Sequence, residues 1–170
     1  MFKMIVAMTK NRGIGLANAM PWHHPKDMRF FKNITYGGGN NCVIMGRNTW
    51  YSILGSNMHE PLPKRDKIIL SRSGNFSGLR WDTTHAKDID DVINHCLDAG
   101  YHENWVIGGG EVYKEFMKRD IVSSIFVTEL DKDYECDVFF PEIPDKFKLL
   151  VSQQDTCKNV GLEFKYYEKI

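Results

Sequence analysis

The 170-residue chain has no block of like charge, and its Lys plus Arg and Asp plus Glu number 22 each. The broad basic field of a nucleic-acid or anionic-membrane binder is therefore missing, and any anion site has to be local. A long apolar run is missing too. Met4 to Met8 falls far short of the ~20 residues that span a bilayer, and the polar Thr9-Lys10-Asn11-Arg12 follows too soon for a secretory signal. Cys42, Cys96, Cys136 and Cys157 include no CxxC pair and no metal-ligand spacing. That points to free thiols in a reducing cytosol rather than a disulfide framework. His23-His24 lack a third ligand at metal-binding spacing, so no metal is expected, and the other histidines are read as surface residues. No G-x-S-x-G, internal repeat or low-complexity tract occurs. Gly37-Gly38-Gly39-Asn40-Asn41 is too short a linker to separate domains.

What is present is an ordinary globular composition, 42% hydrophobic and 26% charged, and a length that supports one self-sufficient core over residues 1–170. Strand-like runs fall at Phe2 to Met8, Cys42 to Met45, Lys67 to Leu70, Trp105 to Ile107, Ile121 to Glu129, Lys148 to Gln154 and Leu162 to Glu168. Helical spacing falls at Pro25 to Ile34, Thr49 to Leu54, Ile89 to Ala99 and Glu111 to Lys118. Alternation of the two predicts a single-domain α/β fold with a mostly parallel central sheet of about eight strands and flanking helices. The last two runs, with no helix between them, predict a C-terminal antiparallel hairpin.

In such sheets ligands collect where strands end and helices begin. Three ends carry chemistry: Met45 runs into Gly46-Arg47-Asn48-Thr49, Leu70 into Ser71-Arg72, and Ile107 into Gly108-Gly109-Gly110 and a helix with Glu111, Val112 and Tyr113. Two guanidinium groups, hydroxyls and close-approaching backbone suit phosphate. Taken singly, each reads as well as a solvated cation or a plain turn. The triplet is not G-x-G-x-x-G, since Tyr113 stands at the last glycine position.

The sharpest signal is Asp27. At about 100° per residue, Phe30, Phe31 and Ile34 share its half of the helix, Met28 borders it, and Lys26, Arg29, Lys32 and Asn33 lie opposite. A first-turn acid behind Pro25 suits the helix dipole, but that does not explain an acid centred on the apolar stripe. A carboxylate facing a core calls for a partner, and a ligand offering N–H donors would serve.

The segments Gly15-Leu16-Ala17-Asn18-Ala19-Met20-Pro21-Trp22, Pro25, Asp27, Phe31, Val43-Ile44-Met45-Gly46-Arg47, Thr49-Trp50, Pro61-Leu62-Pro63 with Arg65, Ile68-Ile69-Leu70-Ser71-Arg72, Val106-Ile107-Gly108-Gly109-Gly110, Val112-Tyr113, Thr128 and Phe140-Pro141 assemble into a pattern. The chain resembles the bacterial-type, single-domain dihydrofolate reductases over essentially its whole length. The resemblance implies an NADPH-dependent oxidoreductase that converts dihydrofolate to tetrahydrofolate, with hydride going to C6 and a proton to N5. Asp27 would accept from N3 and the 2-amino group of the pterin, Thr128 would hold that carboxylate, and Trp22 would anchor a water. Met20 would belong to a lid over Asn11 to Trp22, held closed by Asp137. Ile5 and Ile107 would present carbonyls; Met28, Phe31, Ile53 and Leu62 would line the slot; Arg65 would pair with the folate glutamate.

For the cofactor, the resemblance implies Arg47, Ser71 and Arg72 around the 2′-phosphate, and Thr49 with Gly108, Gly109 and Gly110 near the pyrophosphate. Ala7 and Ile14 would meet the nicotinamide, with Gly46, Asn48, Glu111, Val112 and Tyr113 completing the cofactor side. A cis Gly108-Gly109 peptide is also implied. The expected partners are dihydrofolate and antifolate inhibitors, with no nucleic acid and no membrane; the expected state is a cytoplasmic monomer. The chain departs from the pattern in longer segments at Gly37 to Asn41 and Gly55 to Glu60, and in His23 and Asn48, where relatives carry Asn and His. A pterin or pyrimidine reductase of flavin synthesis and a non-catalytic nucleotide-binding module are the alternatives.

Overall fold

The computed structural model describes residues 1–56, 60–74 and 77–170. In chain order the strands are β1 (Phe2–Thr9), β2 (Gly13–Gly15), β3 (Cys42–Gly46), β4 (Asp66–Leu70), β5 (Thr83–Ala86), β6 (Asn104–Gly108), β7 (Val122–Asp131), β8 (Val138–Phe139), β9 (Phe147–Cys157) and β10 (Val160–Lys169). The helices are α1 (Pro25–Tyr36), α2 (Arg47–Gly55), α3 (Ile89–Ala99) and α4 (Gly110–Lys118). Eight strands form one sheet in the order β5-β4-β3-β6-β1-β7-β10-β9. From β5 to β7 every neighbour is parallel, and β10 pairs antiparallel with both β7 and β9. The expected α/β class and closing hairpin are both present.

Three short strands escaped the sequence pattern. Thr83–Ala86 is four residues of mixed polarity, and its place at the sheet edge comes from pairing with β4, Lys67 to Leu70 against Thr83 to Ala86. β2 and β8 form a separate two-stranded ribbon, too short to show a period. Helix α1 runs on to Tyr36, beyond the expected Ile34, and stops where Gly37 takes φ 51°.

Side-chain alternation sorts the sheet into two faces. Met4, Val6, Met8, Cys42, Ile44, Ile68 and Val106 join Val92 and Cys96 of α3 and Val112, Tyr113 and Phe116 of α4. Ile5, Val43, Met45, Ile69 and Trp105 face the other way, toward Phe30, Phe31 and Ile34 of α1 and Trp50, Ile53 and Leu54 of α2. A third cluster of Trp22, Leu130 and Leu162 closes the β7-β10 end. Lys67 is fully buried, with Nζ 2.5 Å from Asp82.

One irregularity shapes the site. Strand β1 stays with β7 from Phe2 through Thr9↔Leu130, but pairs with β6 only at Lys3↔Trp105 and Met4↔Val106. Strand β6 meanwhile follows β3 to Met45↔Gly108. A slit therefore opens between β1 and β6 toward their carboxyl ends.

Candidate active site

Helix α1 brings Asp27 to this slit on the face shared with Ile5. Thr128 lies there too, since it pairs across the sheet with Ala7 and alternates in step with Phe126. Asp27 and Thr128 are 8% and 1% exposed, and the Thr128 side chain hydrogen-bonds the Asp27 carboxyl. Burial pushes the Asp27 carboxyl above the ordinary carboxylate range, and the Thr128 bond works against that shift. No cation pairs with it among the described residues. From the opposite side Tyr113 donates to the Ile5 carbonyl at 2.6 Å. Burial, and next the nearby Asp27 charge, raise the Tyr113 phenol far above its usual value, so it stays a donor.

The apolar wall is formed by Ile5, Phe31, Ile53, Leu62 and Ile107, all within one cluster. Met28 does not join it and is 39% exposed, because the polar flank of α1 begins there. Arg65 is 4% exposed, with Nη1 donating to Thr35 Oγ1 at 2.8 Å and Nε to the Pro63 carbonyl at 3.2 Å. Burial lowers its pKa, and no carboxylate faces it among the described residues. Thr35 was not singled out by the sequence. Its hydroxyl also donates to the Phe31 carbonyl at 2.8 Å, and its signal was a polar residue on the buried stripe of α1. Asn41, also missed, ties the end of α1 to β6 by donating to the Thr35 and Tyr36 carbonyls and accepting from the Glu103 amide.

A second group gathers at adjacent strand ends. Gly46 pairs with Leu70, so Arg47 and Ser71-Arg72 emerge side by side. Both arginines are exposed, and neither has an acid partner among the described residues. Helices α2 and α4 start from Gly46 and Gly109 with no side-chain cap, leaving amides free for an anion. A Cβ on Gly110 would come 2.7 Å from Val138, so that turn needs glycine, and one on Gly46 would sit tightly against Val112, at 3.1 Å. The Gly108-Gly109 peptide is cis. Asn48 and Glu111 are exposed and Thr49 half-buried.

The loop after β1 is not free. Leu16 and Ala19 exchange hydrogen bonds of 2.8 and 3.1 Å across Ala17 and Asn18, both at positive φ, a two-residue hairpin turn. Asp137 Oδ2 accepts from the Ala17 amide at 3.1 Å, and the Asp137 amide donates to Gly15 at 2.8 Å. Met20 is 48% exposed, and Trp22 is buried, with Nε1 unpartnered among the described residues. Ile14 packs at the edge of the α3-α4 core.

His24 is buried, and His85 and His95, expected at the surface, are half-buried and hydrogen-bonded. All four cysteines are free thiols. The segment Gly55 to Glu60 falls largely outside the described residues. Among the described residues, no helix is long and apolar enough to cross a membrane.

A parallel sheet split beside a buried acid, with exposed arginines and uncapped helix starts at neighbouring strand ends, defines an α/β architecture with its candidate site at the carboxyl edge. Residues 1–169 match the family model described as dihydrofolate reductase. Similar proteins named dihydrofolate reductase occur in Aedes albopictus, 33% identical over 99% of this chain and 97% of that one. Those from Sus scrofa, 35% identical over 97% and 96%, and Neisseria gonorrhoeae, 37% identical over 82% and 78%, are likewise similar. The chain belongs to the dihydrofolate reductase family.

Proposed function

We propose that the protein reduces 7,8-dihydrofolate to tetrahydrofolate with NADPH. The observation that carries this reading is the buried Asp27, held by the Thr128 hydroxyl and by no cation among the described residues. A buried carboxylate accepts N–H donors, and the pterin edge offers two, at N3 and the 2-amino group. Arg65, buried and without a carboxylate partner among the described residues, suits the folate glutamate through a forked contact. The wall of Ile5, Phe31, Ile53, Leu62 and Ile107 suits the flat ring and its benzoyl extension.

The uncapped starts of α2 and α4, their glycine turns, and Arg47 and Arg72 match the donor set that a dinucleotide 2′-phosphate and pyrophosphate require. When bound, NADPH supplies the hydride for C6. Asp27 lies on the wrong edge of the pterin to donate the N5 proton itself. Its ionised form instead favours positive charge on the bound ring, so N5 takes a proton from water. Trp22, its indole N–H without a partner among the described residues, holds that water, and the loop carrying Met20 excludes bulk solvent.

The test is loss of nicotinamide absorbance when enzyme, NADPH and dihydrofolate are mixed. Turnover is expected for the native chain, and Asp27→Asn is expected to lose at least about tenfold in rate at neutral pH, equivalent to about 1.4 kcal/mol in the barrier. Undiminished turnover in that variant would remove the assignment.

A further inference from the structure

The sequence pattern passed over Tyr134, and His24 entered it only as half of an unsupported metal pair. His24 is 3% exposed and is the residue just before α1. Its carbonyl accepts the first helical bond, from Met28 at 3.1 Å, but its side chain does not cap the helix. The imidazole instead turns to Tyr134, with Nε2 3.1 Å from the phenol oxygen. Burial, and next the Lys158, Lys132 and His23 charges, lower the His24 pKa. The Tyr134 ring lies 5.1 Å from the Trp22 ring at 53°, and the Lys132 ammonium lies over the Tyr134 ring, 5.0 Å from its centroid. Three residues beyond Tyr134 comes Asp137, which accepts the Ala17 amide.

One short segment, Tyr134 to Asp137, thus grips the loop of residues 11–22 at two points: the Ala17 amide in its middle and the Trp22 ring at its end. His24 joins the second grip to the start of the helix that carries Asp27. We propose that the Tyr134–His24 hydrogen bond is a positioning device that fixes the Trp22 indole relative to Asp27, and so sets the protonation end of the reaction. The proposal rests on the reductase reading for its kinetic part, and on geometry alone for the coupling of Tyr134 and His24 to Trp22.

The test uses the full chain with 15N-labelled indoles, Trp22 being assigned by the signal lost in Trp22→Phe. Tyr134→Phe keeps the ring contact and removes the hydroxyl; His24→Leu removes the imidazole; His24→Gln keeps a polar partner. The Trp22 indole signal is expected to shift or broaden in Tyr134→Phe and His24→Leu and to stay near native in His24→Gln. Single-turnover hydride transfer should fall roughly tenfold in the first two, within the ~100-fold that a misplacement of about 1 Å can bring, with the KM for NADPH unchanged. The double variant should be no slower than either single one, since both remove the same bond. An unmoved Trp22 signal in folded Tyr134→Phe and His24→Leu overturns the coupling. A moved signal with native hydride transfer overturns the positioning role. If the native chain does not reduce dihydrofolate, the reductase reading fails, and the indole signal alone still decides whether the coupling exists.

Discussion

Asp27 combines two demands that conflict. Its burial raises its carboxyl pKa, so the folded state binds this proton more tightly than the unfolded chain does. That contribution to stability is present in acid and is lost as pH rises from the unfolded value through the folded one. At neutral pH the ionised acid therefore works against folding. Asp27→Asn is expected to raise Tm at pH 7 while removing activity, each ~1 kcal/mol of relief moving the midpoint by about 2–4 °C. The gain should shrink as pH is lowered, and thermal melts of both proteins at several pH values check it. A second expectation concerns Arg47 and Arg72, which stand at neighbouring strand ends with no acid partner among the described residues. Charge-assisted hydrogen bonds contribute about 1.5–3 kcal/mol each, so Arg47→Ala with Arg72→Ala should raise KM for NADPH far more than for NADH. Steady-state kinetics with both cofactors read this directly, and equal effects would remove the 2′-phosphate assignment.

Among the elements, the ribbon of β2 and β8 and the Asp137 contacts hold the loop that follows β1. Asp137→Ala removes the acceptor of the Ala17 amide and leaves the main sheet untouched. It is expected to slow hydride transfer or change product release several-fold with little change in Tm, since lid motions gate such steps; stopped-flow and melting measurements separate the two. The elements that could be read in the sequence were those with a strong period: all four helices and the seven longer strands. Thr83–Ala86 could not be, because its strand character lies in β4, which pairs with it. At the site, Asp27 stood out from the helical period alone. Thr35 and Tyr134 did not, since a threonine near a helix end and a tyrosine in a loop acquire meaning only from Arg65, His24 and Trp22, which are distant in sequence. Most of the remaining site residues were legible through resemblance rather than through spacing.

For the molecule as a whole, one charge pair among the described residues lies wholly inside. Lys67 is fully buried, Asp82 is 6% exposed at the side chain, and they stand 2.5 Å apart. Removing one partner of such a pair strands the other, at a cost of about 3–5 kcal/mol. Lys67→Met should therefore destabilise the fold by about that amount in urea unfolding, although Lys67 lies outside the site.

The slit between β1 and β6 also bears on solvent access to the backbone. The Ile5 carbonyl points into it, toward Tyr113, and along a strand the amide and carbonyl of one residue share a side, so the Ala7 amide faces the same opening. Val6 and Met8 direct theirs to β7, where pairing is unbroken. Hydrogen exchange should therefore alternate along a single central strand, with Ala7 exchanging in seconds to minutes between neighbours protected for far longer. Cofactor that fills the opening should close this gap in protection, turning one amide in the middle of the sheet into a direct reporter of occupancy.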